Sequence, residues 1–176
     1  VYSPSSYEGL KHAMQQALYS ESKLVAVRYP RGAQRAIPES IKPTFADFDV
    51  FGDENAEKAI ITYGRTFSAC AFAYEKLVNS DESVKLIKLN RIIPVCEGAV
   101  EAAKNCKDVY FFEEGIRRGG AGEGFLFDLS KAGFSGKYHL RAIENGFVKQ
   151  ASVESLLHKY GFDEEGVLSF VTSAEA

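Results

Sequence analysis

The stretch Ala59-Ile60-Ile61-Thr62-Tyr63-Gly64-Arg65-Thr66-Phe67 decides the fold class. Five β-branched, aromatic or small residues read as a strand, Gly64 stops it, and Thr66 is a candidate cap for a helix. Phe67, Cys70, Ala71, Tyr74, Leu77 and Val78 then recur at the spacing that puts them on one helical face. The same unit repeats toward the C-terminus. Val84–Leu89 reads as a strand, followed by Asn90-Arg91, Pro94 and a helix through Val100 and Ala103. Val109–Phe112 is the next strand, and the glycine-rich run Gly119–Gly124 leads into a helix with Phe125, Leu126 and Leu129. Tyr138–Ile143 is a fourth strand. Ser152 opens a helix that carries Val153, Leu156, Leu157 and Tyr160 and that Gly161 ends, and a last short helix follows Asp163. Alternating strands and helices predict an α/β domain over 59–176, with a mostly parallel sheet and helices on both faces.

The N-terminal third reads differently. Ser5 and Glu8 have capping-box spacing ahead of a helix carrying Tyr7, Leu10, Met14, Ala17 and Leu18. Leu24–Tyr29 reads as a strand stopped by Pro30. One helix and one strand over 1–32 suggest the tail of another domain, expected to pack poorly on its own. Residues 33–58 lose regular patterning around Pro38 and Pro43. They read as an interdomain linker pinned by Phe45, Phe48 and Phe51, with a short strand near Phe48–Val50.

Composition narrows the function. Among 176 residues, 45% are hydrophobic and 26% charged, with a net charge of -3, which fits a folded domain and not a disordered tail. A chain without a basic excess is a poor duplex-binding protein, so no nucleic-acid partner is expected. No apolar run approaches the roughly 20 residues of a membrane span. The first residues carry no signal-peptide pattern, and the expected location is the cytoplasm. Cys70, Cys96 and Cys106 lack CxxC spacing, and His12, His139 and His158 are far apart, which favours reduced thiols over a zinc site.

In parallel α/β sheets ligands gather at the C-terminal ends of strands. That rule selects Arg28 to Arg31, Gly64 to Thr66, Asn90-Arg91, Glu113 to Gly120 and Glu144 to Phe147. Gly119–Gly124 has two readings, a phosphate-cradling loop or a tight turn where helix and sheet pack closely. Its spacing does not complete GxGxxG, which favours the turn. Glu113-Glu114 reads as an acid/base pair or as a lone helix cap or salt bridge. Successive strand residues face opposite sides, which favours the second. Arg28 and Arg91 each end a strand beside a proline-containing turn. Their guanidinium forks suit a shared phosphate, and two independent ion pairs are the alternative.

Several runs resemble the 1-deoxy-D-xylulose-5-phosphate synthase family of the thiamine-diphosphate transketolase superfamily. They are Val1-Tyr2-Ser3-Pro4-Ser5, Val25–Gly32 with its RYPRG, Ile61–Arg65, Leu89–Pro94, Phe112–Gly115 with Gly119–Gly122, and Gly161–Gly166. The resemblance implies that 1–32 is the tail of the pyrimidine-binding domain, 33–58 a linker and 59–176 the transketolase C-terminal domain. It implies a homodimeric thiamine-diphosphate-dependent transferase, a carboligase condensing pyruvate with glyceraldehyde 3-phosphate for isoprenoid precursor and thiamine biosynthesis. It also places the acceptor-phosphate arginines on Arg28 and Arg91.

The resemblance implies that the groups holding thiamine diphosphate and Mg²⁺ lie elsewhere, because no Gly-Asp-Gly segment with its following Asn is present. This C-terminal fragment is then expected to bind no cofactor and to be inactive alone, with no catalytic residue of its own. The sequence departs from the family at Ile143–Phe147, at Gln150-Ala151 and at Val95-Cys96, which leaves the acceptor open. Another transketolase-like enzyme, a 2-oxoacid dehydrogenase β-subunit, and a non-catalytic docking or dimerisation module are the alternatives.

Overall fold

The computed structural model describes residues 1–20, 24–144 and 146–173. Among them the elements in chain order are α1 (Tyr7–Tyr19), β1 (Phe48–Phe51), β2 (Lys58–Tyr63), α2 (Thr66–Asn79), β3 (Val84–Leu89), α3 (Glu97–Ala103), β4 (Asp108–Ile116), α4 (Ala121–Lys131), β5 (Lys137–Ile143), α5 (Val153–Tyr160) and α6 (Glu164–Ser173). The strands form one sheet in the order β1-β3-β2-β4-β5. β2 is parallel to both β3 and β4, and β4 is parallel to β5. β1 alone runs antiparallel, paired with β3 at the edge.

Alternation along the strands builds two cores. Ile60, Leu86, Tyr110 and Phe112 face α2 and α6, packing on Phe67, Cys70, Leu77, Val167 and Val171. Ile61, Ile87, Val109 and Phe111 face α3 and α4, packing on Ala99, Val100, Phe125 and Leu129. Both faces of the central strands are therefore dry, as a parallel sheet requires. Two lysines sit inside β3. Lys85 Nζ reaches the carbonyls of Glu54 (2.6 Å) and Ala102 (2.8 Å). Lys88 bonds Asn90 Oδ1 and lies 3.6 Å from Asp49 Oδ2, and burial lowers its ammonium pKa despite that carboxylate. The burial of Cys70 pushes its thiol up to about 12, and all three cysteines are free thiols.

Some local expectations shift. Among the described residues the expected strand Leu24–Tyr29 reduces to a single bridge between Val27 and Tyr2, with no neighbouring strand there to continue the ladder. Ser6, not Ser5, caps α1: it holds the extended backbone of a cap, and its hydroxyl accepts the Gly9 N–H. Thr66 lies inside α2, where its hydroxyl turns back to the Tyr63 carbonyl. The short strand expected near Phe48 forms and extends to Phe51. The irregular 33–58 stretch is woven into the domain: Ile41 enters the α2 core, Phe51 meets Phe67, and Phe45 stacks on His12 of α1. α1 keeps Leu18 and Tyr19 exposed, so it packs on one narrow side only. No helix among the described residues is long and apolar enough to cross a membrane.

The α5–α6 turn ends α5 on Gly161, whose φ of 69° is the left-handed conformation glycine tolerates. Beyond it, Asp163 Oδ1 accepts the Gly166 N–H (2.9 Å), and Oδ2 lies 2.6 Å from His158 Nδ1. The hydrogen bond to Asp163 raises the His158 pKa. Burial pushes Asp163 up, but the bonds from His158 and the Gly166 amide outweigh it and hold the carboxyl below its ordinary value. The pair stabilises the fold when Asp163 is ionised and His158 is charged. Stability is thus lost as pH falls through the lowered Asp163 pKa and again as pH rises through the raised His158 pKa. Urea midpoints measured across pH should show both limbs. His158→Gln should abolish the alkaline limb and shrink the acid limb to what the Gly166 amide sustains, and Asp163→Asn should flatten both.

Candidate functional site

The C-terminal ends of the parallel strands carry the residues the strand-end rule selects, and Tyr2 draws two of those segments together. The Tyr2 N–H donates to the Ala26 carbonyl (2.9 Å) and the Arg28 N–H to the Tyr2 carbonyl (2.8 Å). On its other side Tyr2 bridges Arg91, with the Ser3 N–H donating to the Asn90 carbonyl (2.8 Å). The backbones of Arg28 and Arg91 therefore flank one residue.

Their side chains part. The Arg28 guanidinium lies 5.8 Å from the centre of the Tyr63 ring. With Ser3, Arg31, Arg65 and Glu114 it lines a cavity of about 240 Å³ that also touches Tyr63 and Gly64. Arg91 does not line that cavity. Its Nη2 binds Asp47 Oδ2 at 2.5 Å, and its buried Nε has no hydrogen-bond partner among the described residues. The ion-pair alternative thus describes Arg91 here, while Arg28 interacts with Tyr63 at the cavity edge. In the last selected segment, Glu144 to Phe147, Glu144 binds Arg117 (2.7 Å), and Asn145 lies outside the described residues.

The two glutamates divide as their strand positions predict. Glu113 is 1% exposed and accepts three hydrogen bonds. Its donors are the Tyr63 hydroxyl (2.9 Å), the Ala121 N–H (3.0 Å) and the Gly122 N–H (3.0 Å). Its carboxylate therefore caps α4 and holds Tyr63 in place under Arg28. Burial, then the Glu113 charge, raise the Tyr63 pKa, so the phenol stays protonated as a donor. Glu114 points the other way, with Oε2 3.8 Å from Arg65 Nε. A Cβ on Gly122 would stand 2.5 Å from Leu140 Cδ1, and one on Gly120 2.5 Å from Glu113 Oε1. The glycine run is a close-packed turn, and the phosphate-cradling reading fails because Glu113 already occupies the amides at the start of α4.

Residues 52–167 match the family model described as transketolase, C-terminal domain. The chain belongs to this family. Curated relatives named 1-deoxy-D-xylulose-5-phosphate synthase match nearly all of it. That of Corynebacterium jeikeium is 24% identical over 95% of this chain and 27% of its own length. That of Dehalococcoides mccartyi is 27% identical over 98% of this chain and 28% of its own length. The chain thus spans little more than a quarter of these relatives. Among solved structures, a "split gene transketolase, inactive beta4 tetramer" aligns at TM-score 0.77 and 18% identity, over 98% of this chain and 56% of that one. The transketolase of Campylobacter jejuni aligns at TM-score 0.71 and 13% identity, over 98% of this chain and 26% of that one. The mostly parallel sheet with helices on both faces is the transketolase C-terminal fold.

The strand-end rule reaches Arg65 within Gly64 to Thr66 but not Asp47 or Tyr63. Asp47 precedes the edge strand in an irregular stretch and carries no such signal.

Removing the carboxylate tests its part in this transketolase domain. Glu113→Ala leaves a buried hydroxyl and two helix amides without an acceptor, and should cost at least about 2 kcal/mol of folding stability. Tyr63→Phe removes one donor and should cost less, on the order of 1 kcal/mol. Urea unfolding of both variants checks the ranking.

Proposed function

We propose that this transketolase C-terminal domain is part of a 1-deoxy-D-xylulose-5-phosphate synthase, in which Arg28 and Arg91 hold the phosphate of the aldehyde acceptor. One observation carries the reading: Tyr2 clasps both strand-end segments and brings the two arginine backbones to its two sides. In the whole enzyme the reaction joins pyruvate to glyceraldehyde 3-phosphate, and thiamine diphosphate with Mg²⁺ supplies the carbanion chemistry. The residues present do not suit that cofactor. Glu113 fills the glycine-rich helix start, and the described residues contain no group of three His, Cys, Asp or Glu able to hold a metal ion. The proposed contribution is therefore acceptor binding, and the chain alone is expected to be inactive.

A phosphate would take the Arg91 fork from Asp47. The exchange is favourable because both partners of that ion pair are partly solvated, at 27% and 38% side-chain exposure, which keeps the pair weak. A phosphate offers more negative charge and more acceptor oxygens than one carboxylate.

A second reading takes the chain as one component of an enzyme whose cofactor-binding part is a separate polypeptide. It is supported by the share of the neighbour that this chain spans, 56% of the split-gene transketolase chain against 26% of the Campylobacter jejuni transketolase. Either arrangement is expected to work as a symmetric assembly in the cytoplasm, and both predict the same acceptor site.

The test is kinetic, in the enzyme with its cofactor-binding part present. Arg28→Ala and Arg91→Ala should each raise the acceptor KM about tenfold or more, corresponding to a loss of about 1.4 kcal/mol, and leave the pyruvate KM nearly unchanged. Lysine at either position should rescue only partly, since an ammonium cannot form the fork. Wild-type acceptor kinetics in both alanine variants would refute the assignment.

A further inference from the structure

Arg31 and Arg65 form a second basic feature at this end of the sheet, apart from Arg91. Both line the cavity of about 240 Å³ that holds Arg28, and both also line an adjoining cavity of about 300 Å³ beside Arg35 and Ser68. In the first cavity three guanidiniums face one carboxylate, Glu114. That is an excess of positive charge in a partly enclosed space, where electrostatic attraction is stronger than in open water.

The two forks are largely unused. Arg31 has no ion pair among the described residues. Arg65 has Glu114 at 3.8 Å and the Arg31 carbonyl at 3.5 Å, contacts at or beyond the limit of a hydrogen bond. Arg35, by contrast, is tied to Glu154 at 3.1 Å. Position is set by rigid elements. Arg65 sits at the junction of β2 and α2, after Gly64 in its left-handed turn (φ 59°). Arg31 lies between Pro30 and Gly32, whose φ of 114° turns the chain along the cavity rim.

We propose that Arg31 and Arg65 form a second anion subsite that takes a phosphoryl group, distinct from the Arg28–Arg91 acceptor site and standing whether or not that reading holds. A phosphoryl dianion matches two adjacent guanidinium forks in charge and in number of acceptor oxygens. The cavity accommodates such a group, and the adjoining one leaves room for the body of a phosphate ester. Glu114 is the carboxylate the ligand displaces from Arg65.

Inorganic phosphate is the probe, titrated into the isotope-labelled 176-residue chain at constant ionic strength and followed by amide chemical shifts. Saturable shifts are expected at Arg31, Gly32 and Gly64–Phe67. Arg31→Ala and Arg65→Ala should each weaken them by about tenfold or more, Arg118→Ala on an exposed turn should leave them unchanged, and Glu114→Gln should tighten binding. If Arg65→Ala does not fold, Arg65→Gln and the exposed Arg31→Ala carry the same readout. No saturable shifts, shifts confined to Asn90–Ile92, or unaltered binding in the Arg31 and Arg65 variants would overturn the proposal. Acceptor KM in the intact enzyme then separates the sources. An unchanged KM with lost phosphate binding supports a separate phosphorylated metabolite at this subsite, whereas a raised KM in Arg65→Ala would show that Arg65 belongs to the acceptor site and would overturn the proposal of a second one.

Discussion

The buried carboxylate of Glu113 ties together the parts on which the site depends. It comes from β4, caps the first amides of α4 and fixes the Tyr63 hydroxyl at the end of β2. Arg28, from the N-terminal segment, then lies over the Tyr63 ring. A charge this deeply buried survives only with full hydrogen-bond compensation, and three donors supply it. The arrangement also explains the glycines at the start of α4. The backbone must approach the carboxylate within hydrogen-bond reach, and a Cβ at Gly120 would strike it.

Glu113 and Asp47 act as opposite constraints on the two strand-end arginines. Glu113 spends its charge on neutral donors, and Arg28, beside Tyr63, has no ion pair among the described residues. Asp47 pairs directly with Arg91 and neutralises it. The free positive charge of this end therefore lies on the side of Arg28, Arg31 and Arg65, although the backbone treats Arg28 and Arg91 alike. The edge strand β1 has a part in this asymmetry. Its antiparallel pairing with β3 carries Asp47 to the Asn90 and Arg91 backbone amides, which donate to the Asp47 carbonyl at 2.9 Å each.

The N-terminal segment is bound more closely than a loose tail. Tyr2 inserts between two segments, and Tyr7 exchanges hydrogen bonds with Gln34. Its apolar burial is nonetheless thin, with Ala13 the one buried residue of α1. Backbone pairing at the sheet end, not a shared core, holds this segment to the domain.

The sequence by itself determined the α/β class and every helix and strand from Ala59 onward. Continuous apolar strands such as Ala59–Tyr63 and helices such as 66–79 carry their periodicity locally, and glycines such as Gly161 mark their ends. It also determined that Glu113 and Glu114 must face opposite sides, because the period of a strand is two. Tertiary structure decided the rest. Leu24–Tyr29 has strand composition, but a strand needs a partner, and among the described residues only Tyr2 pairs with Val27. Lys85 and Lys88 break the apolar pattern of β3, yet distant carbonyls and Asp49 make their burial possible. Arg28 and Arg91 are alike in sequence, each at a strand end beside proline. Only the fold brings Asp47 to one and Tyr63 to the other, and which fork is ion-paired depends on a charge far away in the chain that no local pattern encodes.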